Sequence, residues 1–227
     1  VVFWFPNKKY ARPEIYVVVT YIQLLRVLAK YGVIELEQNV ETWPPCQAFY
    51  IESMLSITSS AIDSTEKLAI IFNPNEDLSD LQHEEILDWV QNIVTQAAAL
   101  SRYFWAVKKK EKIHKQRSQY LRRVFGIPEE SAIKNRDLRN LIEHFDENLD
   151  VFVSKPVVGS ILPNYVGEEQ DTQGVPLHVF RAFYNRIGVF EVLGHRFELQ
   201  PIVDEIYEIH RKLVSFSESG YVFRNAV

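Results

Sequence analysis

The chain has 227 residues, 47% of them hydrophobic and 24% charged, a composition typical of a globular protein with a sizeable core. Its single cysteine, Cys46, excludes an internal disulfide and any zinc site built from several cysteines. The formal net charge of −5 argues against a protein that coats nucleic acid over its whole surface, but it is compatible with a local basic stripe.

Apolar residues at helical spacing predict the elements of the first part of the chain. The first helix runs from Pro13 to about Gln38, the second from Pro44 towards Phe72, and the third from about Asp80 to Val107. A basic loop and a short helix ending at Gly126 follow. The next predicted helix begins at Ser131 or Asn135 and runs to Val153.

Residues 154–200 differ in composition from the segments before them. They begin with a stretch rich in Pro and Gly, which predicts a loop. Branched and aromatic residues at 178–184 and 189–193, followed by a turn and 196–199, predict a small β-hairpin or meander. Pro201 opens a last amphipathic helix, over 201–216.

Together these elements predict a mainly α fold. We expect a single helical domain over 1–227, a bundle of about five helices, with bundle helices within 13–153 and the β-hairpin or meander before the C-terminal helix. No membrane span is predicted, because the longest apolar runs fall short of the roughly 20 residues that cross a bilayer. The apolar start Val1–Pro6 is too short for a signal peptide, and the lone cysteine fits a reducing compartment, so we expect a cytoplasmic protein.

The predicted helix before Val153 carries three residues suited to chemistry on phosphate. Asn140 and His144 are four apart and share a helical face, whereas Arg139 lies about 140° from His144. Only the long arginine side chain is able to join the other two. One copy of this set is unable to surround a substrate, and a second copy from a dimer partner would complete it.

The pattern Arg139-Asn140-x-x-x-His144 resembles the conserved motif of HEPN domains. The wider segment 135–147 is similar to a motif in uncharacterised bacterial proteins related to that group. The resemblance implies a helical bundle, a homodimer and, in many members, an endoribonuclease that needs no metal or other cofactor. It assigns proton transfer to His144, clamping of the scissile phosphate to Arg139, and orientation of the imidazole or donation to phosphate to Asn140.

A strongly basic stretch precedes the motif and contains one acid, Glu111. It is interpreted either as an RNA path beside the motif, with binding that falls steeply with salt, or as a solvated loop. Its basic residues are Lys108, Lys109, Lys110, Lys112, Lys115, Arg117, Arg122 and Arg123.

Other interpretations of the same residues stay open. Acids around His144, including Asp146 and Glu147, repel phosphate, and helical salt bridges give Arg139 and His144 a purely structural role. The second hypothesis is therefore a non-catalytic interaction or structural protein. A third is a small-molecule pocket lined by aromatics, and no metal site is predicted, because the acids near His83 lack the Glu-x-x-His spacing. The tryptophans of that third hypothesis are Trp4, Trp43, Trp89 and Trp105.

Overall fold

The computed structural model describes residues 44–72, 83–106, 112–156, 158–169 and 174–223, without the side chains of 44–46, 136 and 139. The helix predicted from Pro13 to Gln38 lies outside these ranges.

Three helices of the first part match the prediction where they are described. They are α1, Pro44–Ile71; α2, His83–Phe104; and α3, Lys112–Phe125. Buried residues recur along α2 at helical spacing from Ile86 to Phe104, and acids in its first turn suit the positive end of the helix dipole. Gly126 ends α3 with φ +61°, a left-handed conformation that glycine adopts readily.

The predicted continuous helix ending at Val153 is wrong. A 3₁₀ turn at Ala132–Lys134 precedes two short helices, α4, Arg136–Glu143, and α5, Phe145–Val153. His144 separates them with φ −125° and ψ 45°. The two halves pack against different elements, because Leu138 and Leu141 of α4 enter the helical core whereas the aromatic rings of α5 contact the sheet. The helix is therefore interrupted at His144, although the apolar spacing continues across it.

The predicted meander is confirmed, and one further strand joins it. The strands are β1, Ser160–Gly167; β2, Leu177–Tyr184; β3, Val189–Val192; and β4, His195–Glu198. They lie in the order β1-β2-β3-β4, with β1 parallel to β2 and the other pairs antiparallel. β1 lies in the segment predicted as a loop. The Pro and Gly residues of this segment are typical of loops, but an edge strand such as β1 tolerates them.

The last helix, α6, Leu199–Glu218, returns to the bundle and packs against α1. Its apolar face, with Ile202, Ile206, Ile209 and Leu213, joins one cluster that also holds Phe183 and Phe190 of the sheet. The fold is mainly α, with the sheet placed before the C-terminal helix as predicted. Within the described ranges, every helix is too short or too polar to span a bilayer.

Candidate functional site

Helix α4 presents the motif from a firmly anchored position. The Asn135 side chain accepts hydrogen bonds from the backbone amides of Asp137 and Leu138 at 2.9 and 3.1 Å, which caps the start of the helix. Leu138 and Leu141 are fully buried and fix one face of α4 in the core. Asn140 is exposed on this short helix. The anchor and the candidate chemistry are thus carried by different residues of one helix.

His144 lies at the junction of α4 and α5. Its backbone amide donates to the carbonyl oxygen of Asn140 at 2.9 Å, and its own carbonyl oxygen accepts from both the amide and the Nδ2 atom of Asn148. Its side chain is 54% exposed, and Nδ1 lies 3.6 Å from a carboxylate oxygen of Glu147. The imidazole is therefore accessible to a ligand and has one acid close by. The side chain of Arg139 lies outside the described part of the structure, so its position relative to His144 stays a prediction.

A chain of contacts joins the motif to the basic helix α3. Glu143, the last residue of α4, lies 3.0 Å from Nε of Arg102 near the end of α2. The carbonyl oxygen of that same arginine accepts a hydrogen bond from Nη2 of Arg117 in α3 at 2.8 Å. The C-terminal end of α2 thus holds the motif helix and the basic helix beside each other.

The basic residues divide into two groups. Lys112 and Lys115 are exposed. The arginines of α3 hold local contacts, since Arg117 lies 5.9 Å from the ring of Tyr103 and Arg123 lies 5.7 Å from the ring of Tyr120. This part of the stretch forms the short helix predicted before Gly126. Lys108, Lys109 and Lys110 lie outside the described residues.

The structure shows a cation cluster around Trp105 that the sequence does not predict. Arg122 and Lys134 each lie 6.0 Å from the Trp105 ring, and both form ion pairs with Glu129. The hydrogen bond from Lys134 and the charge of Arg122 hold the pKa of the Glu129 carboxyl below its usual range. Spacing gave no signal for this cluster, because its members come from three separate segments.

The structure gives little support to two alternative sites, a metal site near His83 and a small-molecule pocket lined by aromatics. Asp88, one of the acids near His83, forms an ion pair with Arg181 at 2.8 Å, and among the described residues no group of three or more His, Cys, Asp or Glu is placed to hold a metal. Trp89 and Trp105 are half-buried and pack against the main core, as aromatics at helical spacing usually do. Trp4 and Trp43 lie beyond the described ranges.

The arrangement has a defined chemical capacity. It offers an exposed imidazole and an exposed amide on an anchored helix, next to a helix with solvent-facing lysines. An imidazole transfers protons near neutral pH, and lysines attract a phosphate backbone. Comparisons with protein-family models, with curated proteins and with solved structures found no match for this chain.

Proposed function

We propose that this chain is a HEPN-like, cytoplasmic protein that binds RNA as a homodimer and cleaves it without a metal ion. The observation that carries the proposal is that Arg102 contacts both Arg117 of the basic helix and Glu143, the residue before the exposed His144. An RNA strand that follows Lys112 and Lys115 would pass the motif. The motif residues are Arg139, Asn140 and His144, as the HEPN resemblance implies.

The proposed reaction is an internal attack by the ribose. His144 of one copy takes the proton of the 2′-hydroxyl, and the 2′ oxygen forms a bond to phosphorus. The bond from phosphorus to the 5′ oxygen breaks, and His144 of the second copy, protonated, supplies a proton to that leaving oxygen. The products are a 2′,3′-cyclic phosphate and a 5′-hydroxyl. Arg139 neutralises the charge that develops on the phosphate, and Asn140 orients the imidazole or donates to phosphate.

Cleavage of RNA by the purified protein in the presence of a chelator tests this proposal. We expect His144→Ala to lower the rate by a factor of about 10² to 10⁴, the usual contribution of a positioned proton-transfer group. Arg139→Ala should lower it by a factor of about 10² to 10³, the usual contribution of a donor to developing charge. Their melting temperatures should stay close to that of the wild type. His195→Ala and Arg211→Ala are matched controls, since both residues are exposed outside the motif, and they should cleave normally.

A non-catalytic role of the same helix is the second candidate. It is favoured by the ion pair between Arg102 and Glu143 and by the full burial of Leu138 and Leu141, which give α4 a structural purpose of its own. In that case the wild type would show no nuclease activity above its controls, and motif variants would change stability or association alone. Absence of chelator-resistant cleavage at every tested RNA would leave this second candidate as the function.

A further inference from the structure

Helix α5 turns an acidic and apolar face to solvent. At about 100° per residue, Val153, Asp146, Asp150, Glu147 and Val151 follow one another around roughly 160° of its surface. All five are exposed, and the two valines are each 59% exposed. The opposite side of the helix packs against the body through Phe145, Leu149 and Phe152. The outer face of α5 thus combines three carboxylates with two branched apolar side chains.

Three more apolar side chains lie exposed at the start of the sheet, near the C-terminal end of α5. Val158, Ile161 and Val175 are 68%, 64% and 48% exposed. Ile161 lies opposite His178 in the β1–β2 register, and the ring of that histidine lies 6.4 Å from the ring of Phe152 in α5. The packed side of α5 therefore contacts the β1–β2 pair, beside which these three apolar side chains lie exposed.

This part of the sheet edge is held in a fixed conformation. Gly159 has φ +117°, and a Cβ atom there would lie 2.1 Å from the carbonyl oxygen of Pro176. The Ser160 amide donates to that same oxygen at 3.0 Å, and Nε2 of His178 lies 3.1 Å from the carbonyl oxygen of Val158. A preformed apolar surface loses little conformational entropy when a partner covers it.

The charges on α5 indicate what covers the surface. Among the described residues, no ion pair involves Asp146 or Asp150. A partner with cationic groups would neutralise these acids while its apolar groups cover Val153 and Ile161.

We propose that the outer face of α5, together with Val158, Ile161 and Val175, binds a segment of a partner protein. That segment carries lysine or arginine side chains beside branched or aromatic apolar ones. Charge complementarity and apolar burial act together, as in other specific interfaces. The role is separate from the proposed nuclease activity and does not depend on it.

Fluorescence anisotropy with labelled synthetic peptides tests the proposal at about 0.15 M salt. The probe alternates Leu and Lys, and two counterparts of equal length alternate Leu with Glu and Ser with Lys. We expect the wild type to bind the Leu-Lys peptide at least tenfold more tightly than either counterpart. Val153→Ser with Ile161→Ser should lower this affinity at least tenfold, and Asp146→Asn with Asp150→Asn should lower it and reduce its salt dependence.

Ile187→Ser is the control variant, since Ile187 is a 51% exposed apolar residue in the turn between β2 and β3. It should bind as the wild type does. Equal binding of the Leu-Lys and Ser-Lys peptides, or unchanged affinity in either double variant, would overturn the proposal. A dimer in sedimentation equilibrium that Val153→Ser with Ile161→Ser dissociates would also overturn it, because the occupant would then be a second copy.

Discussion

In the motif, two of the residues proposed for chemistry are exposed, whereas neighbouring residues that stabilise the fold are buried. Leu138 and Leu141 are fully buried, so truncating either would open a cavity in the core. Asn140 and His144 are exposed, and substitutions at exposed positions usually change stability by less than about 0.5 kcal/mol. Loss of activity in a His144 variant is therefore interpretable as a loss of chemistry.

Substitution of Gly159 tests whether the sheet edge is held in a fixed conformation. Gly159→Ala should lower the free energy of unfolding by about 3 kcal/mol, since it adds a clash with the Pro176 carbonyl to left-handed strain. Gly188→Ala is the matched control, because its φ is +63° and nothing lies within 4 Å of the added Cβ; it should lose only about 1–2 kcal/mol. Urea denaturation measures both, and equal losses would contradict the assigned contact.

Helices α1 and α6 meet at a polar contact that includes the partly buried His210. The Thr58 hydroxyl donates to the Met54 carbonyl oxygen at 3.0 Å, and its oxygen lies 2.8 Å from Nδ1 of His210. Burial lowers the pKa of His210, because the charged form is poorly solvated there. Burial in the folded state thus favours the neutral histidine.

The sign of the resulting pH dependence follows from that lowered pKa. The unfolded chain takes up the proton near the ordinary histidine pKa of about 6.5, and the folded chain only at lower pH. The contribution is complete above about pH 6.5 and is lost as the pH falls through the folded pKa of His210. Urea denaturation at several pH values should show this loss in the wild type and in His195→Gln, and a smaller loss in His210→Gln. An identical pH profile in His210→Gln would contradict this assignment.

The affinity for RNA should depend on helix α3, because it carries exposed lysines. Replacing Lys112 and Lys115 with Gln should weaken binding of single-stranded RNA and reduce the slope of log affinity against log salt by about 1 to 1.5. Titrations at several salt concentrations measure the slope. Lys67→Gln in α1 is the control, being an exposed lysine on another element. An unchanged slope in the double variant would remove α3 from the RNA path.

The proposed chemistry needs two copies of the chain. One copy supplies a single His144, whereas the proposed reaction uses one imidazole to take a proton and another to give one. The motif lies at an exposed junction, where α4 ends and α5 begins. A homodimer that brings two such junctions together would complete the site.

Mixing the wild type with an excess of His144→Ala tests this requirement. The cleavage rate per wild-type chain should fall, because a mixed dimer keeps only one of the two imidazoles that the proposed reaction uses. Sedimentation equilibrium should show a dimer at the concentrations used for cleavage. Cleavage by a protein that is monomeric under those conditions would contradict the shared site.

Local patterns in the sequence were sufficient for much of the fold. The helices from Pro44, near His83 and after Pro201 follow from apolar spacing with Pro or acids in the first turn, and the end of α3 follows from Gly126. The strands at 178–184 and 189–193 follow from their branched and aromatic residues. The motif was visible because its residues lie within six positions of one another.

The type of each strongly periodic element and the residues of the motif follow from local sequence, since spacing and capping act within a few residues. Only the tertiary structure decided that the motif helix breaks at His144, because its two halves pack against different partners. It likewise decided that β1 is a strand, as pairing with β2 supplies what its own propensity lacks. The Trp105 cluster and the acidic, apolar surface of α5 and the sheet edge also arise from packing, which joins residues that the chain keeps apart.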